Sequence, residues 1–133
     1  VERPFDLQVA DLWDAVLNLS LPADDQLSVL DASGDRQAID ELALAFDDAF
    51  WVVSEAFERN QLSRAEVTAL NALNSRLNEM SGHPNAEKWT PHALVNDEAW
   101  ETVRRLARNA LAKRQVSRVE RQSNCARPLV GLP

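Results

Sequence analysis

The sequence predicts an all-α protein: a single-domain bundle of four to five helices around one long central helix at about residues 36–59. Three observations carry this expectation. Apolar residues recur at three- and four-residue intervals through most segments, the spacing that lines one face of an α-helix. Only 3 of the 133 residues are glycine, too few for a turn-rich β architecture. Ala, Leu, Asp, Glu and Arg dominate, and few β-branched residues fall in the alternating pattern of strands. A chain of this length fits one domain with a real core.

The central helix is the most apolar and aromatic run, Glu41 to Phe57, ELALAFDDAFWVVSEAF. At about 100° per residue, Ile39, Leu42, Ala43, Phe46, Phe50, Val53 and Phe57 share one broad face, which should face the core. Leu44 and Trp51 fall together roughly 120° away from that stripe. The same side carries Asp40, Asp47, Asp48, Glu55 and Glu58. Two readings follow. Either Trp51 packs under another helix, or it is an aromatic anchor inside an acidic rim, aimed at a basic partner. On the second reading Asp40, Leu44, Asp47, Asp48, Trp51, Glu55 and Glu58 form a partner-binding face.

The other elements follow in order. Asp6 is placed to cap a first helix reaching about Leu19, with Val9, Leu12, Trp13, Val16 and Leu17 on one face. A short helix through Leu30 follows Pro22, with Leu27 and Leu30 inward. Asp31 to Gly34 reads as a loop, after which Asp35 is placed to cap the central helix, expected to end near Asn60. Ser63 and Glu66 have the spacing of a capping box for a helix reaching Met80. On that helix Asn71, Asn74 and Asn78 form a polar stripe beside the apolar one, either core boundary or a hydrogen-bonding recognition strip. Ser81 to Asn85 stops the helix, Thr90 with Pro91 starts one further turn, and Asp97 caps the last helix. Trp100, Val103, Leu106, Ala107, Ala110 and Leu111 line its buried side. Arg114 and Arg118 then take up the azimuth of Trp100 and Leu111, so the helix should leave the bundle or stop. The expected division is a bundle domain over 1–115 and a basic, poorly ordered tail over 116–133.

Charge is unevenly spread. Residues 1–103 hold 20 acids and 6 bases, whereas 104–133 hold 1 acid and 8 bases. An acidic body is a poor nucleic-acid surface and a good one for a basic protein. No apolar run approaches the ~20 residues a membrane span needs, and the start, VERPFDL, lacks the features of a secretion signal. The single cysteine, Cys125, excludes an intramolecular disulfide and suits a reducing compartment. The expectation is a cytoplasmic protein with no membrane contact.

Catalytic chemistry finds little support. Cys125 has Arg127 nearby to lower its pKa but no base placed to serve it. His83 and His92 lack the companions of a metal motif. Asp47 and Asp48 point about 100° apart on a helix and do not chelate as a unit. Gly34, Gly82 and Gly131 are too scattered for a phosphate loop. No cofactor or metal is expected, and the protein reads as a non-enzyme. Nucleic-acid binding would rest on Arg104, Arg105, Arg108, Lys113, Arg114, Arg118 and Arg121, without a helix-turn-helix pattern or interleaved aromatics. The same cations also suit a helix C-terminal end.

Residues 80–111 carry a resemblance. They hold a Met80-Ser81-Gly82 turn, a capped turn at Trp89-Thr90 with Ala93 and Leu94, and a final helix with Trp100, Val103, Arg104 and Ala107. In these features the chain resembles small acidic all-helical actinobacterial proteins of uncharacterised function, and is similar to immunity proteins of polymorphic toxin systems. The resemblance implies a cytoplasmic protein, monomeric or homodimeric, that neutralises a cognate toxin, such as a basic nuclease domain, by tight binding. The alternatives are a self-associating structural or regulatory bundle and a nucleic-acid accessory factor using the basic C-terminal helix. The stretch after about residue 114 departs from the pattern.

Overall fold

The computed structural model describes residues 3–130 except Arg36; the side chains of His83 and of residues 121–130 fall outside that description, as do the expectations for Cys125 and Arg121. The elements are α1 (Phe5–Ser20), α2 (Ala23–Ala32), α3 (Asp40–Phe50), α4 (Val53–Glu58), α5 (Arg64–Glu79), a 3₁₀ turn (His83–Lys88), α6 (Pro91–Asn96) and α7 (Glu98–Val130). The described residues are thus helical with no strand, in seven α-helices rather than four or five. Three seams dominate: α1 against α3, α1 against α7, and α5 against α7. The short α2 and α6 pack on one another and on α1 and α7. Leu12, Val16, Leu19, Leu70, Leu73, Trp100 and Val103 are fully buried where these seams meet.

The single central helix is the main correction. Asp35 does not cap it; its Oδ1 accepts from the Gln37 N–H at 2.9 Å, closing a local turn, and α3 begins only at Asp40. The run then divides at Trp51 and Val52. There the Val52 N–H donates to Ala49 O at 3.3 Å, a three-residue step in place of the four-residue one. The cause is visible in what is buried. The core residues are Phe46, Ala49, Val52, Val53 and Ala56, so burial advances in steps of three across the break. A local tightening towards three residues per turn is what brings such a spacing onto one side. Phe50 is consequently only half-buried and Phe57 is exposed, although both lie on the stripe that an unbroken helix would bury.

The other departures are smaller. α1 begins after Pro4, so Asp6 lies inside the first turn, where a carboxylate faces the positive end of the helix and accepts from Gln61 Nε2 at 3.4 Å. At the far end, Arg114 does not turn α7 away from the bundle. Its guanidinium lies 5.0 Å from the centroid of the Trp13 ring, a cation–π contact that covers the aromatic with a charged side chain. Burial pushes the Arg114 pKa down from its usual value. Three residues on, Ser117 is buried and its hydroxyl meets Ser63 Oγ at 2.8 Å. The boundary expected at 115/116 therefore falls within one continuous helix.

Local capping chemistry follows the sequence. Ser63 Oγ accepts from Glu66 N–H at 3.1 Å while Glu66 Oε1 accepts from Ser63 N–H at 2.7 Å. Thr90 Oγ1 accepts from Ala93 N–H at 3.1 Å, and Asp97 Oδ1 from Ala99 N–H at 2.8 Å. That bond from Ala99, aided by Lys88, holds the Asp97 carboxyl below its ordinary pKa of 3.8. Its stabilising effect is therefore full above that value and is lost as pH falls through the lower folded pKa. Asp97→Ala should cost about 1 kcal/mol at neutral pH. The gap to the wild type should close in acid, and Asp97→Asn, which keeps the cap, should show no such pH dependence. Urea unfolding at a series of pH values checks all three; a gap unchanged down to acid pH contradicts the assignment.

Candidate functional site

The acidic side of α3 and α4 is solvent-facing. Trp51 is 62% exposed and Leu44 43% exposed, so no helix packs over Trp51. The tightened turn at Val52 explains this. Burying Val52 and Val53 together rotates the preceding residue outward, to the rim of the seam between α3 and α1.

The predicted face separates into two parts. Asp40, Leu44 and Asp47 line a groove of about 560 Å³ whose other wall is α5, through Asn74, Leu77 and Asn78. Its end is closed by Ser81, Gly82, Ala86 and Trp89. The groove exists because α3 packs on α1 and α5 packs on α7, while α3 and α5 share no comparable seam. Gly82, at φ 100°, lets the chain turn sharply at the end of the groove. Asp48 and Trp51 face the other way, into a cleft of about 230 Å³ shared with Gln8 and Asp11 of α1. Trp51 and Glu55 also border a cleft of about 530 Å³ with Arg3, Phe5 and Arg59. Glu58 is exposed and borders none of these.

The carboxylates are not equivalent. Asp11 is paired with Arg3 at 2.6 Å, and Glu55 with Arg59 at 3.0 Å. Arg59 also lies over the Phe5 ring at 4.1 Å. Among the described residues no hydrogen bond or ion pair engages the Asp40, Asp47, Asp48 or Glu58 carboxylates. The uncompensated charge thus lies on either flank of Leu44, with Asp40 and Asp47 towards the groove and Asp48 towards Trp51. Beside Trp51, Gln8 Oε1 is shielded from solvent without a donor among the described residues.

Part of the basic C-terminal cluster is built into the fold. Arg104 is 4% exposed and donates to Gln26 Oε1 and Leu94 O, each at 3.0 Å. Arg108 Nε donates to Ser20 O at 2.9 Å, satisfying an end carbonyl of α1. Arg114 lies on Trp13, whereas Arg108, despite this bond, is exposed, as are Arg105, Lys113 and Arg118. No group of three or more His, Cys, Asp or Glu among the described residues is arranged to hold a metal ion. No described helix is long and apolar enough to cross a membrane.

Sequence reasoning missed two groups of residues. Gln8 and Asp11 lie under Trp51 only because α1 packs on α3. The pairing of the Asn74–Asn78 stripe with Asp40 and Asp47 is likewise tertiary, although the stripe itself is periodic and visible. Comparison of the chain with protein families, curated proteins and solved structures returns no match.

Proposed function

We propose that this chain is a non-catalytic binding protein whose acidic α3–α4 face engages a basic protein, and that it acts in the cytoplasm as an immunity protein neutralising a cognate toxin. The observation that carries the reading is Trp51, 62% exposed beside unpaired carboxylates. Exposed tryptophans rimmed by charge are the residues on which interface energy concentrates. The toxin assignment rests on the resemblance over residues 80–111. Most of the residues that carry it, including Met80, Leu94, Trp100, Val103, Arg104 and Ala107, are buried and serve the fold. Neutralisation is by occlusion: the acidic surface speeds encounter, and Trp51 with Leu44 holds the complex once formed.

The test is co-purification with the protein encoded beside it, followed by kinetics. Trp51→Ala should weaken the complex by at least about 2 kcal/mol, chiefly through faster dissociation. The Asp47→Lys/Asp48→Lys variant should slow association and flatten its salt dependence. A complex formed equally well by both variants would place the interface elsewhere.

Self-association has one observation in its favour. Val116 and Val119, each 55% exposed, stand three residues apart on α7. Light scattering after size exclusion decides: a monodisperse dimer insensitive to salt supports that reading.

A further inference from the structure

We infer that the groove between α3 and α5 is a binding track for an extended, basic peptide segment of the partner. This rests on the protein-binding reading above and names the part of the partner that this site takes.

The groove is the open seam of the bundle. Its floor is apolar, with Phe46 and Leu77 almost fully buried beneath it and Trp89 at its end. One wall presents Asp40 and Asp47 and the other Asn74 and Asn78. None of these four side chains has a hydrogen-bond partner or ion pair among the described residues. The volume, about 560 Å³, lies within the range of ordinary ligand sites.

Three features select the occupant. First, two uncompensated carboxylates on one wall favour Lys or Arg and repel an acidic segment. Second, Asn74 and Asn78 lie one helical turn apart, ~6 Å along the axis. An extended chain repeats every two residues, ~6.6 Å, and offers unpaired N–H and C=O groups at that interval. Each primary amide both donates and accepts, so the pair matches the backbone groups of alternate residues along one edge of the segment. A helical ligand has its backbone groups bonded internally and offers these amides nothing. Third, Asp40 and Asp47 are ~10 Å apart along α3. Two arginines at alternate positions of an extended chain start ~6.6 Å apart on one face, and their long side chains splay to both carboxylates. The residue between them points the other way, to the apolar floor. Trp51 lies outside the groove and contributes to the wider interface instead.

The probe is Ac-Arg-Leu-Arg-NH2, titrated into the full-length ¹⁵N-labelled protein at low salt. The side-chain NH₂ signals of Asn74 and Asn78 and the indole signal of Trp89 should shift saturably, while the Trp51 indole signal stays in place. Asp40→Asn/Asp47→Asn should raise Kd at least tenfold. N-methylation of the central peptide bonds should abolish the shifts, and the Glu-for-Arg peptide should give none. Both aspartates are exposed and unpaired, so the double variant should fold; unchanged far-UV circular dichroism checks this. Absence of saturable shifts, shifts confined to Trp51, or equal shifts with the Glu peptide would overturn the inference. Should the peptide fail while Trp51→Ala still disrupts the natural complex, the groove is rejected and the protein-binding reading stands; if the peptide binds but Trp51→Ala leaves the complex intact, the groove stands and the Trp51 anchor is rejected.

Discussion

Replacing Trp100 by alanine is expected to lower the unfolding free energy by about 3–5 kcal/mol. Trp100 is fully buried, and its indole N–H donates to Lys88 O at 2.6 Å. Its ring meets Trp89 edge-on, with centroids 5.3 Å apart and planes at 86°. Trp89 in turn donates its indole N–H to Met80 O at 2.8 Å. The two indoles therefore fasten both ends of the segment between α5 and α6 to the last helix. Alanine removes the apolar area, opens a cavity and leaves the Lys88 carbonyl without its donor. Against a total stability of about 5–15 kcal/mol for a domain of this kind, the loss is severe. Trp100→Phe keeps most of the packing and should cost about 1–3 kcal/mol, dominated by the unpaired carbonyl. Urea unfolding followed by circular dichroism measures both. A loss below about 1 kcal/mol for the alanine variant would show that the site collapses around the missing ring. The end wall of the peptide groove should loosen too, with faster amide exchange over residues 83–89 than in the wild type.

Arg104→Ala should cost on the order of 3 kcal/mol, because it leaves two buried acceptors, Gln26 Oε1 and Leu94 O, without a donor. Gln26 is fully buried and spends its own Nε2 on Asn18 O and Leu19 O, at 3.2 and 3.0 Å. The guanidinium is thus the keystone of a polar network joining α7 to the ends of α1, α2 and α6. Its contact with Glu101, at 3.3 Å, adds little because that carboxylate is 61% exposed. Arg104→Lys keeps the charge but not the fork, and should recover only part of the loss. Arg104→Met/Gln26→Leu should lose clearly less than the sum of its single changes, since removing donor and acceptor together leaves fewer orphaned groups. Strict additivity in the double-mutant cycle would contradict the network. The nucleic-acid alternative bears on the same residue: Arg104→Ala should alter stability and leave any weak oligonucleotide binding unchanged.

What the sequence determined by itself is the local chemistry. The capping box at Ser63 and Glu66, the caps at Thr90 and Asp97, and the buried stripes of α5 and α7 depend on residues within a few positions of one another; on α1 the stripe holds at Leu12, Trp13 and Val16, but Leu17, expected on the same face, is exposed. Side-chain reach and helical period settle them before any packing occurs. The acidic, aromatic character of the α3–α4 face was equally legible, since a period of 3.6 places Leu44 and Trp51 on one side. Other features needed the whole molecule. The break at Val52 arises because two adjacent valines must both be buried, a demand set by neighbouring helices and not by propensity. Arg104 reads as one of a row of surface cations until Gln26, 78 residues away in sequence, meets it in the interior. The division of the acidic face is also tertiary. α1 closes on one flank of α3 and leaves the other open to α5, so a single stripe of carboxylates on the helical wheel becomes two sites of different chemistry.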